Sequence, residues 1–339
     1  MYKKHFGFTS KPFNLTPDPD TIFMSETHQE GLAILTYGVK SNKGFLVLTG
    51  DVGTGKTTLL QKLVTTLDGH VHYCLLNNPT LTRDEFFTYL ASQYGLLWTG
   101  NKAEFLDTFD EFLKTCFANN ERVLLIIDEA HVLPVNLLEE IRLLSNLDVA
   151  GQNIFSIFLV GQPELNSRMS DDSLLPLRQR IGIRFHLERF TAEETLQYIL
   201  FRLRHAGARH FHIFSDEAVA KIFMVSKGTP RLINIVCDHA LLTAFAQGVT
   251  MIDAEIIDEC IEELHFPGEE NPLPVMVEEE PSGLLRFFQT YKQPMLLALL
   301  IVLLLLALIV PLGKNSPLGY FFPETWITNI QRLFGSLGG

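Results

Sequence analysis

Residues 50–58 read GDVGTGKTT, which places two glycines, a lysine and a threonine at the spacing G-x-x-x-x-G-K-T. Glycines at those positions let successive backbone N–H groups turn toward an anion, and the N-terminus of a following helix adds positive potential. Gly50, Asp51, Val52, Gly53, Thr54, Gly55, Lys56, Thr57 and Thr58 are therefore the expected phosphate cradle. In this reading Lys56 reaches the β- and γ-phosphate oxygens of ATP, and the Thr57 hydroxyl is a ligand of Mg2+. A chance match in a glycine-rich turn is the weaker reading, because the apolar run FLVLT precedes the segment and the helical pattern KTTLLQKLVTTL continues from it.

A second group lies in RVLLIIDEAH, residues 122–131. Four apolar residues, Leu124 to Ile127, lead into Asp128 and Glu129. A carboxylate at the end of a strand beside the cradle organises Mg2+ through its water shell, so Asp128 joins Thr57 as an expected metal-binding residue. Glu129 is placed to orient and polarise the attacking water. Taken alone, the two acids would be read as a cap on the next helix; the cradle upstream favours catalysis. The letters DEAH also occur in helicases and carry no weight here, since nothing else in the chain points to one.

These groups need a scaffold that brings strand ends together. Between residues 44 and 190 the runs FLVLT from Phe45, HYCLL from His72, VLLIID from Val123, SIFLVG from Ser156 and IRFHL from Ile183 alternate with helical patterns. Strands alternating with helices imply crossovers and a parallel sheet, and strands apolar on both faces imply helices on both sides. From Thr191 the strand signals stop. TAEETLQYILFRLRHAG opens on Thr191 with Glu194 three residues later, a capping-box pattern, and further helices are expected near Ser215, Pro230 and Asp253. Residues 191–265 thus read as a small helical domain, and residues 1–43 as an irregular lead-in rich in Phe and Pro. No internal repeat is present.

The rest of the chain differs in composition. Residues 266–293 are acidic and proline-rich, then juxtamembrane in character. Residues 294–313 contain MLLALLIVLLLLALIV without a charge, and a helix of about 20 residues rises about 30 Å, the thickness of a bilayer's hydrocarbon. Residues 314–339 form a short tail expected to be extracytoplasmic. Arg286 and Lys292 before the run balance Lys314 and Arg332 after it, so basic charge does not set the orientation. The need for ATP does, and residues 1–293 are expected to be cytoplasmic. Leu284, Leu285, Phe287 and Phe288 suit the near membrane surface, and Tyr320, Phe321, Phe322 and Trp326 the far one.

The 339-residue chain carries a formal net charge of −12, with a pI near 5.4. That argues against a protein held to nucleic acid by phosphate neutralisation. Cys74, Cys116, Cys237 and Cys260 are scattered without a C-x-x-C, so neither a disulfide framework nor a zinc site is expected. The N-terminus has lysines but no apolar core of a secretory signal.

The phosphate loop, the acidic strand end and the helical domain after them resemble the AAA+ ATPases in order. The fold class implied is α/β: a P-loop NTPase (AAA+) parallel sheet with a helical lid domain, plus one C-terminal transmembrane helix. The resemblance makes Gln162, at the end of SIFLVGQPEL, a sensor of the γ-phosphate or water. It makes Arg178 and Arg180, with Arg184 a weaker choice, candidates for a finger delivered to a neighbouring subunit, and Arg231, in GTPRLINIV, the second sensor. It also leaves two readings of Phe6, Gly7, Phe13 and Pro17, contact with adenine or plain domain packing. More closely, HFGFTSKPFNLTPDPDTIFMSETHQEGLAILTYGV, GFLVLTGDVGTGKTTLL, IIDEAHVL and LVGQPEL resemble the general secretion pathway protein A (ExeA) family over residues 1 to about 265. This resemblance implies a homo-oligomeric, single-pass inner-membrane ATPase. It would assist assembly of an envelope complex through a membrane-protein partner of a secretion, pilus or polysaccharide-export system. The short tail departs from members that carry a peptidoglycan-binding region. Two other readings are a target-selecting ATPase of the DNA-transposition type, against which the acidic balance and the apolar run count, and a scaffold that binds ATP without hydrolysing it, against which Glu129 counts.

Overall fold

The computed structural model describes residues 2–16, 21–41, 44–77, 79–147, 149 and 151–264. The expected linker, membrane span and tail lie outside the described residues, as does Pro17. Among the described residues no helix is long and apolar enough to cross a membrane.

Five parallel strands, β1 (Phe45–Gly50), β2 (Val71–Leu76), β3 (Arg122–Ile127), β4 (Phe155–Gly161) and β5 (Ile181–Leu187), lie in the order β2-β3-β4-β1-β5. The lead-in is not irregular. It contains α1 (Tyr2–Phe6) and α2 (Glu26–Lys40). The crossovers carry α3 (Lys56–Thr66), α4 (Arg83–Tyr94), α5 (Lys102–Ala118), α6 (Val135–Leu144), α7 (Glu164–Met169) and α8 (Leu175–Arg178). Then come α9 (Ala192–His205), α10 (Asp216–Ser226), α11 (Pro230–Gln247) and α12 (Ala254–Leu264).

The period-two alternation of the central strands divides their side chains between two cores. Val123, Leu125 and Ile127 of β3 join Phe86, Phe105 and Phe109 of α4 and α5 on one face. Leu124 and Ile126 join Leu35, Leu59 and Leu63 of α2 and α3 on the other. Only the inner strands are covered on both faces. β2, at one edge, leaves Tyr73 exposed. β5, at the other, alternates between half-buried and exposed positions until Leu187. The expectation of five doubly buried strands fails at the edges, where the helix layers cover β2 and β5 incompletely.

Local chemistry sets the helix ends. Thr191 and Glu194 make the expected capping box on α9, and Thr82 and Glu85 make another on α4. Pro230 opens α11, where its missing N–H costs nothing, and Gly248 closes it in a left-handed conformation. A third core joins α9 to α12, and Tyr2, Phe8 and Phe13 of the lead-in are buried within it.

Candidate active site

The site forms where β1, β3 and β4 end. Gly53 and Gly55 have φ of 79° and 100°, values that L side chains rarely adopt. A Cβ on Gly53 would stand 2.7 Å from the Arg231 Cβ, so the loop can pass beneath α11 only as glycine. The Arg231 N–H donates to the Gly53 carbonyl at 3.3 Å. Lys56, buried at the start of α3, donates to the carbonyls of Gly50 at 2.7 Å and Asp51 at 2.9 Å. An ammonium has three N–H donors, so one remains for an anion. Burial pulls the Lys56 pKa below the ordinary lysine range, against the opposing pull of Glu129 and Asp128.

Thr57 donates its hydroxyl to Asp128 Oδ2 at 2.6 Å, and Asp128 Oδ1 accepts from the Glu129 N–H at 2.9 Å. Burial raises the Asp128 pKa, opposed by these hydrogen bonds. Glu129 adopts φ 52°, a left-handed conformation that is uncommon for a long side chain and occurs where surrounding structure enforces it. Gln162, one residue past β4, donates from Nε2 to Glu129 Oε2 at 3.4 Å. Among the described residues a cleft of about 380 Å³ is lined by Val52, Gly53, Thr54, Gly55, Lys56, Thr57, Thr58, Glu129, Gln162 and Arg231.

The other predicted residues lie elsewhere. Gly50 and Asp51 bound the loop without lining the cleft; Asp51 accepts from Arg189 Nε at 2.7 Å. Arg178, at the end of α8, donates to the Ser170 carbonyl at 3.3 Å. Arg180 donates to the Ser145 carbonyl and hydroxyl at 3.1 and 2.8 Å. Arg184 is exposed on the edge strand β5. None of these three arginines lines the cleft of its own chain. Phe6 and Phe13 are not at the cleft either. Phe13 packs edge-on against Phe214 in the helical core, which decides for packing between its two readings. Of the lead-in, Asn14, Leu15, Thr16, Thr21, Ile22 and Phe23 line the cleft instead, with Phe190, Tyr198 and Asn234.

Sequence reasoning missed three residues around the loop. His28 is buried at the first turn of α2. Its Nε2 lies 3.0 Å from the Thr54 carbonyl and its Nδ1 2.7 Å from Ser25 Oγ. A carbonyl only accepts, so Nε2 carries the proton and Nδ1 accepts from the serine. Burial lowers the His28 pKa, which keeps the ring neutral. His131 Nδ1 lies 3.4 Å from both Glu129 Oε2 and the Gln162 backbone nitrogen. Arg168 of α7 donates to the carbonyls of His131 and Leu133 and clamps the turn after Glu129. Only the capping position of Ser25 before His28 was a local signal; the other partners are distant in sequence.

A parallel sheet in this order, with a glycine loop after β1, an acidic pair after β3 and a helical lid over the loop, defines a P-loop nucleoside triphosphatase of the AAA class. A family model described as "AAA domain" matches residues 39–169. The chain is 38% identical to the general secretion pathway protein A of Aeromonas hydrophila over 252 residues, 73% of this chain and 46% of that protein. It therefore spans about half the length of that relative. The fold is similar to the Aeropyrum pernix ORC2 protein in its ADPNP–ADP complexes (TM-score 0.55, 19% identity, covering 76% of this chain and 72% of that one). It is also similar to Cdc6p from Pyrobaculum aerophilum (TM-score 0.55, 17% identity, covering 74% and 70%). Residues 39–169 thus match an AAA domain, and the chain is similar to the general secretion pathway protein A over nearly three quarters of its own length.

Proposed function

We propose that this chain hydrolyses ATP and uses the cycle to drive or regulate assembly of an envelope export complex. The observation that carries the catalytic reading is the cluster of Thr57, Asp128, Glu129 and Gln162 at the ends of neighbouring strands beside Lys56. Lys56 binds phosphate oxygens through its remaining donor. The Thr57 hydroxyl and Asp128 carboxylate are hard oxygen donors that fit Mg2+, which when bound would neutralise phosphate charge. Glu129 accepts a proton from the attacking water. Gln162 holds the Glu129 carboxylate in place and is the sensor beside it. Arg231 lines the cleft from the lid helix α11 and is proposed as the second sensor.

Arg178 and Arg180 are proposed as the finger supplied to a neighbouring subunit, within a homo-oligomer. Arg178 is the better of the two, because a single carbonyl bond holds it, whereas Arg180 is bound twice to Ser145. The apolar run of residues 294–313 supports a single-pass inner-membrane protein with its ATPase domain in the cytoplasm. The likeness to general secretion pathway protein A supports a membrane-protein partner from a secretion, pilus or polysaccharide-export system. The net charge of −12 counts against nucleic acid as the partner.

Glu129→Gln tests the catalytic reading. The variant is expected to bind ATP as the wild type does while phosphate release falls by about 10²–10⁴-fold, the usual worth of a positioned general base. Unchanged release would remove Glu129 from the chemistry, and a wild type that binds ATP but releases no phosphate would leave a nucleotide-binding scaffold.

A further inference from the structure

We propose that His72, Cys116 and Glu121 form a binding site for a divalent metal ion of the zinc type, with water as the fourth ligand. The three donors come from separate elements: His72 from β2, Cys116 from the last turn of α5, and Glu121 from the turn into β3. That turn folds back on the helix. Asn120 adopts φ 56°, and the Glu121 N–H donates to the Cys116 carbonyl at 2.8 Å. Glu121 is thereby returned to the level of Cys116, while the parallel pairing of β2 with β3 sets His72 alongside. His72 Nε2 lies 2.8 Å from Glu121 Oε2, and the imidazole, thiol and carboxylate donor atoms all lie within 4.8 Å of one another.

At ordinary Zn–N and Zn–S lengths, tetrahedral ligands stand about 3.3–3.8 Å apart, so the cluster needs only a small contraction to close on an ion. Imidazole with thiolate and carboxylate suits zinc better than magnesium or calcium, which prefer all-oxygen sets. Cys116 is buried, but His72 and Glu121 are half-exposed and leave a path for the ion and a place for its water. Among the described residues this is the one group of three such side chains that converges in this way.

The site lies at the end of β3 opposite Asp128, about 20 Å away at the usual rise per residue. It is thus remote from the phosphate chemistry and does not depend on the proposed activity. The ion would tie the edge strand β2 to α5, a pair otherwise joined here by the His72–Glu121 contact and by the ring contact of His72 with Phe112.

Cobalt(II) titration of the full-length protein tests the proposal. A single equivalent should produce a thiolate-to-cobalt charge-transfer band and the intense visible bands of four-coordination, and Zn2+ should displace it. Cys116→Ala should abolish the charge-transfer band although Cys74, Cys237 and Cys260 remain. His72→Ala and Glu121→Ala should each weaken binding about tenfold or more, since even outer partners of a metal site cost that much. Zn2+ should also raise the melting temperature of the wild type and not that of His72→Ala. Absence of a thiolate band, or a band that survives Cys116→Ala, would overturn the site. If the Cys116 variant fails to fold, half-exposed His72 decides alone, and binding unchanged in His72→Ala overturns it equally.

Discussion

His28 joins the start of α2 to the phosphate loop through one buried ring. Replacing it with alanine leaves the Thr54 carbonyl and the Ser25 hydroxyl without this partner, which costs about 1–3 kcal/mol. Its pKa is lowered by burial from the ordinary 6.5, opposed by the Thr54 carbonyl and the Glu194 carboxylate. A histidine whose folded pKa is depressed stabilises the fold fully above the unfolded value. That contribution is lost as pH falls through the folded one. The stability gap between wild type and His28→Ala should therefore be widest above about pH 6.5, shrink by up to about 1.4 kcal/mol per pH unit between there and the folded value, and level off below it. Urea denaturation of both proteins across that range measures it; a gap independent of pH would contradict the assignment of a neutral ring. The residues of the phosphate loop and the acidic pair were legible in the sequence because each is a dense local pattern beside a strand. His28, His131 and Arg168 were not, because each acts through partners on other elements, and a lone histidine or arginine has no period or spacing to betray it.

At the level of elements, the strands were legible as apolar runs and α9 by its capping box, but α2 was not. Gly31 and Gly38 each lower helix propensity by about 1 kcal/mol relative to alanine, and they sit within a sequence that otherwise keeps helical spacing at Leu32, Leu35 and Val39. The structure shows what they do. A Cβ on Gly38 would stand 2.9 Å from Leu46 Cδ1 and 3.0 Å from Phe158 Cζ, and one on Gly31 3.0 Å from Phe185 Cε1. The helix lies close to the sheet on its two glycines. Gly38→Val should therefore destabilise by about 1–3 kcal/mol through overpacking. Gly69→Ala, where nothing lies within 4 Å of the added carbon, should stay within about 0.5 kcal/mol. Thermal melting of the pair checks this, and equal melting temperatures would mean that α2 can lift from β1 and β4 at no cost.

At the scale of the whole molecule, the arginine candidates gain sense only if another copy is present. Arg178 and Arg180 lie outside the cleft of their own chain, so their proposed action requires a neighbour. Mixing two inactive variants separates this from a structural role. In a mixed assembly of Arg178→Ala and Glu129→Gln subunits, a site that keeps Glu129 can receive Arg178 from the other chain. ATPase activity should therefore reappear on mixing and depend on total protein concentration. If the mixture stays as inactive as its components, Arg178 does not act across an interface. This arrangement could be anticipated in the sequence only through family resemblance, since spacing along one chain carries no information about a second.

Tyr2 donates its hydroxyl to Asp238, 236 positions further along the chain, and Phe8 and Phe13 are buried in the same core. At a translation rate of about 5–20 residues per second, the first aromatic residues leave the ribosome roughly 10–50 seconds before α11 exists to receive them. During that interval these three aromatic rings lack the α11 and α12 side chains of the core that buries them. The burial of this early segment is therefore among the last steps of folding during synthesis, completed only when the last lid helices emerge.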